Sequence, residues 1–327
     1  MPTTVIKPVA RPRRVLIIFN PIAGRRRQRL FAKTIDALSD RGCLLDVQVT
    51  QGPADAIHMA RAAVAAQKFD VIVAAGGDGT INEVVQGMTG SANGHAGDAP
   101  QENGVYLGPA FATIPFGTVN VLALDIGLTQ KVEAMADTIA ASAEVMATVG
   151  LARSEDSSRA FLITVGVGLD SAAVKYLSPK LKRIFSWGAY IFSMILALAR
   201  DGGVTLKAEI DGEPVTGSTI IMTNVSRFGG PHVVAPDARV EGDDLTVLVA
   251  LGLGRWNLMR YGLAFGLGKV PSIPDKILRN VQEIHVTSPV GYPVQVDGDA
   301  YGTVPVTFSI APAKLRLLVP SAYIQKT

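Results

Sequence analysis

Gly76-Gly77-Asp78-Gly79-Thr80 joins an apolar run, Val71 to Ala75, to a segment in which Ile81, Val84, Val85 and Met88 keep helical spacing. Paired glycines let a backbone come close to a phosphate. A helix N-terminus adds free N–H groups and the positive end of its dipole. Asp78 is an anion beside that anion site, which makes chemical sense if it holds magnesium, directly or through water. An ordinary strand-to-helix turn could use the same residues, since Asp-Gly favours turns. Thr80 followed by Glu83 has the pattern of a capping box.

The same situation recurs along the first part of the chain. Ile114-Pro115-Phe116-Gly117-Thr118-Val119-Asn120 closes another apolar run and supplies Thr118 and Asn120 as short polar groups. Asn20-Pro21-Ile22-Ala23-Gly24 closes Val15 to Phe19, and Thr50 closes Leu44 to Thr50. Each has a bland account, because Asn and Thr cap helices while Pro and Gly punctuate turns. Together they put phosphate-compatible residues at successive strand ends, where open α/β sheets bind ligands.

The elements that must carry these residues are short β-rich runs at 15–19, 44–50, 71–75 and 110–114, alternating with helical stretches at about 29–41, 54–67, 80–88 and 120–126. That alternation predicts a parallel sheet covered on both faces. After about residue 145 the pattern becomes a series of strands: 161–167, 205–210, 219–224, 245–251, 284–287, 294–296 and 304–310. Helical stretches interrupt only at about 178–200 and 255–265. The expected fold is an α/β nucleotide-binding domain followed by a mostly β second domain.

Composition narrows the chemistry. The 327 residues suffice for two domains, and 48% hydrophobic against 18% charged residues excludes a disordered chain. A single cysteine, Cys43, excludes a disulfide framework and a cysteine-ligated zinc site, and the four histidines have no paired metal spacing. A net charge of +3 is too small to indicate a nucleic-acid partner. There is no Gly-x-Ser-x-Gly elbow, no Walker A loop at Gly266-Leu267-Gly268-Lys269, and no third glycine after Gly166-Val167-Gly168 for a dinucleotide fingerprint. Mean hydropathy is high at +0.29, yet the longest apolar candidate, Trp187 to Ala199, is too short for a span. The N-terminus lacks an apolar signal region, so a reducing cytoplasm is the expected compartment.

With NPIAG at 20–24, GGDGTINEV at 76–84, PFGTVN at 115–120, GVGLD at 166–170 and QVDGD at 295–299, the sequence resembles the diacylglycerol-kinase catalytic-domain superfamily, in particular soluble bacterial lipid kinases related to diacylglycerol and sphingosine kinases. The resemblance implies ATP and Mg2+ as cofactors and transfer of the γ-phosphoryl group to a lipid hydroxyl. It also implies an ATP-binding domain over 1–144, rejoined by 313–327, a lipid-substrate domain over 145–312, and a cleft between them. The family pattern places ATP against Asn20, Pro21, Gly24, Thr50, Gly76, Gly77, Asp78, Gly79 and Thr80, with Glu83, Gly117, Thr118 and Asn120 in the same motifs. Its acidic base motif matches Asp297-Gly298-Asp299, with Asp299 first by position and Asp297 as partner or substitute.

Three departures from that pattern stand out. Asp299 replaces a Glu one methylene longer, and a misplacement of ~1 Å can cost on the order of 100-fold in rate. Gly242-Asp243 and Thr246 disturb the stretch where the family binds a structural magnesium ion partly by main-chain oxygens, here Gly242 and Leu245. Val121 stands where many relatives carry Asp.

Arg25-Arg26-Arg27-Gln28-Arg29 would attract ATP phosphates or anionic headgroups, or form a solvated helix start. Phe185 to Ala199, after Lys175, Lys180, Lys182 and Arg183, suits a cleft-lining helix or a membrane interface. Trp256, Met259, Tyr261 and Phe265, between Arg255 and Arg260, form a second candidate for lipid contact, and Asp170 a candidate for the lipid head group. The expected protein is a cytoplasmic lipid kinase, peripheral at the inner face of the membrane. A homodimer stays open. The alternatives are a soluble-substrate kinase of the NAD-kinase type and a non-catalytic lipid-binding relative.

Overall fold

The computed structural model describes residues 12–23, 28–90, 101–102, 104–176 and 203–325. Gly24, Arg25 to Arg27 and the apolar stretch 185–199 with Lys180, Lys182 and Arg183 lie outside the described residues. The chain divides into two compact units, Met1–Val149 with Ala311–Thr327, and Gly150–Ile310.

The first unit holds β1 (Arg14–Phe19), α1 (Gln28–Asp40), β2 (Leu44–Val49), α2 (Asp55–Ala66), β3 (Val71–Gly76), α3 (Asp78–Thr89), the small hairpin β4 (Gln101–Glu102) and β5 (Val105–Tyr106), β6 (Ala110–Pro115), α4 (Val121–Asp125), α5 (Val132–Ala141) and β7 (Glu144–Ala147). Its main sheet runs β2-β1-β3-β6, all parallel, and then takes in β22 (Leu315–Leu318) from the far end of the chain before β7. β22 is parallel to β6 and antiparallel to β7. Every residue of β3 and β6 is buried, which is why both read as unbroken apolar runs, whereas the edge strand β2 is only partly covered. Pairing of β7 with β22 keeps residues 144–149 in this unit, so the observed boundary falls at Val149 and Ala311 instead of at 144 and 313.

The second unit is a sandwich of two six-stranded sheets. It comprises β8 (Gly150–Arg153), β9 (Ser158–Phe161), β10 (Thr164–Val167), α6 (Leu169–Tyr176), β11 (Leu206–Ile210), β12 (Glu213–Gly217), β13 (Thr219–Thr223), the hairpin β14 (Arg227–Phe228) and β15 (His232–Val233), β16 (Leu245–Ala250), α7 (Arg255–Gly266), β17 (Lys276–Val281), β18 (Glu283–Ser288), β19 (Pro293–Val296), β20 (Asp299–Thr303) and β21 (Val306–Ile310). One sheet runs β17-β16-β13-β10-β19-β20 and the other β12-β11-β18-β21-β8-β9.

Side chains of β13 and β16 alternate between two cores. Ile220, Met222, Val247 and Val249 enter the sandwich, while Ile221, Leu248 and Ala250 face a second cluster with Phe228, Val234, Leu258, Tyr261 and Phe265. Both faces of this sheet are therefore covered, which removes the usual apolar–polar alternation from its central strands. The sequence run 161–167 is two strands, not one. The chain turns at Leu162 and Ile163, whose N–H groups bond the Asp297 carboxylate. Among the described residues no helix is long and apolar enough to cross a membrane.

Candidate active site

In the first unit the carboxyl ends of β1, β3 and β6 are stitched into one surface. The Asn20 N–H donates to Ala75 O at 2.9 Å. Its side-chain oxygen accepts from Ile22 N at 3.0 Å and Ala23 N at 3.3 Å, closing an Asx turn around Pro21. Its amide then donates to Thr80 Oγ1 at 3.1 Å, tying the end of β1 to the first turn of α3.

The two glycine loops meet directly. A Cβ added at Gly117 would lie 2.6 Å from Gly77 Cα, and one at Gly77 would lie 3.2 Å from Gly117 Cα. At Gly76 an added Cβ would lie 2.3 Å from Thr80 Oγ1. Phe116 N and Gly117 N both donate to Gly76 O, at 2.8 and 3.1 Å. Phe116 is buried edge-on to Phe19 and Phe31, which anchors the loop that carries Thr118 outward to solvent.

Asp78 Oδ2 accepts the Val121 N–H at 3.1 Å, so the carboxylate begins α3 and also holds the start of α4. Asn120 is buried with φ +55, its amide donating to Gly117 O at 2.8 Å. Its carbonyl oxygen is buried without a hydrogen-bond partner.

Three expected site residues make contacts of another kind. Thr50 is buried, with its N–H and hydroxyl 3.0 and 3.5 Å from Phe19 O. Thr80 and Glu83 form no capping box. Helix α3 begins at Asp78, earlier than the pattern implied, so Thr80 lies inside it and pairs with Asn20. Glu83 instead accepts the N–H of Ala54, ahead of α2, at 3.1 Å.

A backbone cradle that tolerates no Cβ fits a nucleotide phosphate group, whereas the orphaned Asn120 carbonyl, an acceptor, calls for a donor or a cation. Mg2+ is commonly held by one or two carboxylates plus phosphate and water, so Asp78 alone is a sufficient protein ligand. The turn at 239–246 is held by hydrogen bonds. Gly242 N donates to Arg239 O at 3.0 Å, and the Thr246 hydroxyl bonds Asn280 at 3.1 Å. Among the described residues no three His, Cys, Asp or Glu side chains gather as metal ligands.

In the second unit the GVGLD and QVDGD segments lie side by side. An added Cβ at Gly166 would fall 1.9 Å from Asp170 Oδ2, so this glycine makes room for the carboxylate. Gly168, with φ +122, turns the chain into α6. Asp170 Oδ2 accepts from Gln295 Nε2 at 3.1 Å, while Oδ1 is buried with no partner. Burial pushes this carboxyl up to about 6, against the opposing pull of the Gln295 bond.

Asp170 lines a cavity of about 60 Å3 beneath α7, walled by Leu169, Ile221, Phe228, Leu248 and Phe265 among other mostly apolar groups. Lys276 also borders it, but its ammonium donates to Pro271 O and Ile273 O, each at 2.7 Å.

The two acids of QVDGD differ in environment. Asp297, at φ +49 and buried, accepts from Leu162 N, Ile163 N and Thr164 N at 3.2, 3.1 and 2.8 Å. Asp299 begins β20 with its side chain 44% exposed and Arg159 at 3.7 Å. Reading the sequence missed Gln295 and Arg159 as members of this site. Gln295 had a signal, since it lies two residues before Asp297 on the same strand-like run; Arg159 had none.

The comparisons agree with this architecture. Residues 14–152 match the diacylglycerol kinase catalytic domain, and residues 163–319 match the YegS C-terminal NAD kinase beta sandwich-like domain. Proteins of Staphylococcus aureus strains bovine RF122 / ET3-1 and MRSA252, each named diacylglycerol kinase, are 25% identical over 323 residues, covering 96% of this chain and 95% of theirs. A crystal structure of a diacylglycerol kinase from Bacillus anthracis strain Sterne superposes with a TM-score of 0.70 at 18% identity, covering 96% of this chain and 100% of that one. Another B. anthracis chain gives a TM-score of 0.77 at 20% identity, covering 97% and 99%. The chain thus joins a diacylglycerol kinase catalytic domain to a YegS C-terminal NAD kinase beta sandwich-like domain, in that order.

Proposed function

We propose that this protein is an ATP- and Mg2+-dependent lipid kinase that phosphorylates a lipid hydroxyl, acting from the cytoplasm at the inner face of the membrane. The observation that carries the lipid reading is the apolar cavity that Asp170 borders. Apolar walls favour an acyl or alkyl chain, and one unpaired acceptor favours a hydroxyl or amine donor over an anionic group. Acceptors with neutral or amine-bearing heads, such as diacylglycerol, ceramide or a sphingoid base, fit that chemistry better than phosphatidylglycerol.

In this reading Gly76, Gly77 and Gly117 hold the nucleotide phosphates by backbone approach, with Asn20, Thr118 and Asn120 as polar partners and Asp78 as magnesium ligand. Bound ATP supplies the phosphoryl group and the metal offsets its charge. Asp299 takes the proton of the acceptor hydroxyl, being the exposed acid of its pair. Asp297, with both oxygens on backbone N–H groups, fixes the turn that presents Asp299.

The test is transfer of label from [γ-32P]ATP to a panel of diacylglycerol, ceramide, sphingosine and phosphatidylglycerol in mixed micelles, with NAD alongside. A labelled neutral or amine-bearing lipid supports the reading. Labelled NAD with no labelled lipid would replace it by the NAD-kinase type, and label nowhere would leave a non-catalytic relative.

A further inference from the structure

Helix α7 departs from the usual amphipathic pattern, because large apolar residues lie on both its buried and its exposed side. Leu258, Tyr261 and Phe265 are buried at 2, 7 and 7% exposure on the cavity side. Trp256, Met259 and Leu263, with Leu267 just past the helix end, are 80, 48, 63 and 61% exposed. Offsets of three, seven and eleven residues put these four in one stripe along the helix axis. A stripe of large apolar groups facing water marks a contact surface, since solvent-facing helix positions are ordinarily polar.

We infer that this outer stripe docks on an anionic lipid surface. Charge decides the occupant. The helix carries Arg255 and Arg260 and no acidic residue, and Lys269 follows as a third exposed base. Arg260 is paired with Asp275, which leaves Arg255 and Lys269 near the two ends of the stripe. An indole at the rim of an apolar stripe, with cations beside it, matches the boundary between acyl chains and anionic headgroups. A water-filled surroundings gives that arrangement no comparable partner. The inner face of the same helix, through Tyr261, Gly262 and Phe265, lines the cavity, so one helix would stand between bilayer and acyl site. Docking is independent of phosphoryl transfer and concerns only how the protein holds its lipid source.

The experiment is co-sedimentation of the full chain with phosphatidylcholine vesicles, with and without phosphatidylglycerol. The wild type binds the mixed vesicles about tenfold more tightly than phosphatidylcholine alone, and Trp256→Ala with Leu263→Asp lowers that binding by about tenfold. Nucleotide affinity and circular dichroism stay unchanged in the variant. Should that pair fail to fold, Arg255→Glu with Lys269→Glu carries the test on charge alone. Unchanged vesicle binding in a folded variant of either kind overturns the proposal.

In a Trp187→Phe background, Trp256 emission moves to the blue when mixed vesicles are added. A Trp256 already shielded from an aqueous quencher without vesicles overturns the inference as well. The face would then be covered by another part of the chain or by a second copy, which sedimentation equilibrium separates. An Asp299→Asn chain that binds vesicles normally but transfers no label keeps this proposal distinct from the kinase reading.

Discussion

Gln295 donates its side-chain amide to Asp170 at 3.1 Å, while its carbonyl oxygen accepts the Gly298 N–H at 2.8 Å. One buried side chain thus connects the polar end of the apolar cavity to the turn that presents Asp299. Its orientation is fixed from both sides, because a flipped amide would set oxygen against carboxylate and NH2 against N–H.

The two acids of that turn are expected to fail differently. Asp299→Asn removes the proposed proton acceptor, and lipid phosphorylation falls by at least ~100-fold with the melting temperature unchanged. Asp297→Ala leaves three backbone donors without their acceptor and costs about 2–4 kcal/mol of stability. Thermal melts beside initial rates separate the two. An Asp297→Ala protein as stable as wild type would remove the structural role assigned to it.

Where Gly77 and Gly117 touch, no side chain fits. Gly117→Ala places a methyl 2.6 Å from Gly77 Cα, forcing the two loops apart. Nucleotide affinity, read by fluorescent-nucleotide titration or calorimetry, is expected to fall by about tenfold or more. Binding at wild-type strength would show that these loops do not form the phosphate cradle.

Asp170 is expected to make acceptor binding depend on pH. Its carboxyl is held at about 6 against an ordinary 3.8, so the folded chain keeps the proton that the unfolded chain has released. The stability this gives is full below about pH 4 and is lost as pH rises through about 6, on the order of 3 kcal/mol in all. Over the same interval the ionised oxygen becomes a stronger acceptor, so the KM for a hydroxyl- or amine-bearing lipid falls between pH 5 and 7. Asp170→Asn flattens both profiles; a KM profile unchanged by that substitution would take Asp170 out of acceptor recognition.

Glu83 supports a neighbouring helix and is expected to have no part in nucleotide binding. Glu83→Ala leaves the N–H of Ala54 uncapped and lowers stability by about 1 kcal/mol, while ATP affinity holds. A loss of affinity without loss of stability would return Glu83 to the nucleotide site.

Much of the first unit was legible because parallel strands buried on both faces announce themselves as continuous apolar runs. The loops at 20, 76 and 115 follow such runs directly. Glu83 was misread since a capping box is a local pattern, whereas the side chain answers a backbone donor just ahead of another helix. The second unit was harder. β12 (Glu213–Gly217) and β17 (Lys276–Val281) carry polar and charged residues and escaped notice, and 161–167 looked continuous because its break is made by Asp297, far along the sequence. Asp170 was visible as a residue, but its unpaired oxygen and cavity arise only from packing across α6, β13, β16 and α7.

The strand filling the gap between β6 and β7 arrives with residues 315–318, after the entire sandwich has been made. During synthesis the first unit must therefore wait, with two raw sheet edges, until residues 315–318 have followed the sandwich out of the ribosome. A product cut short after Ile310 would keep every phosphate loop and still carry an open seam, ready to capture another chain's strand in place of its own.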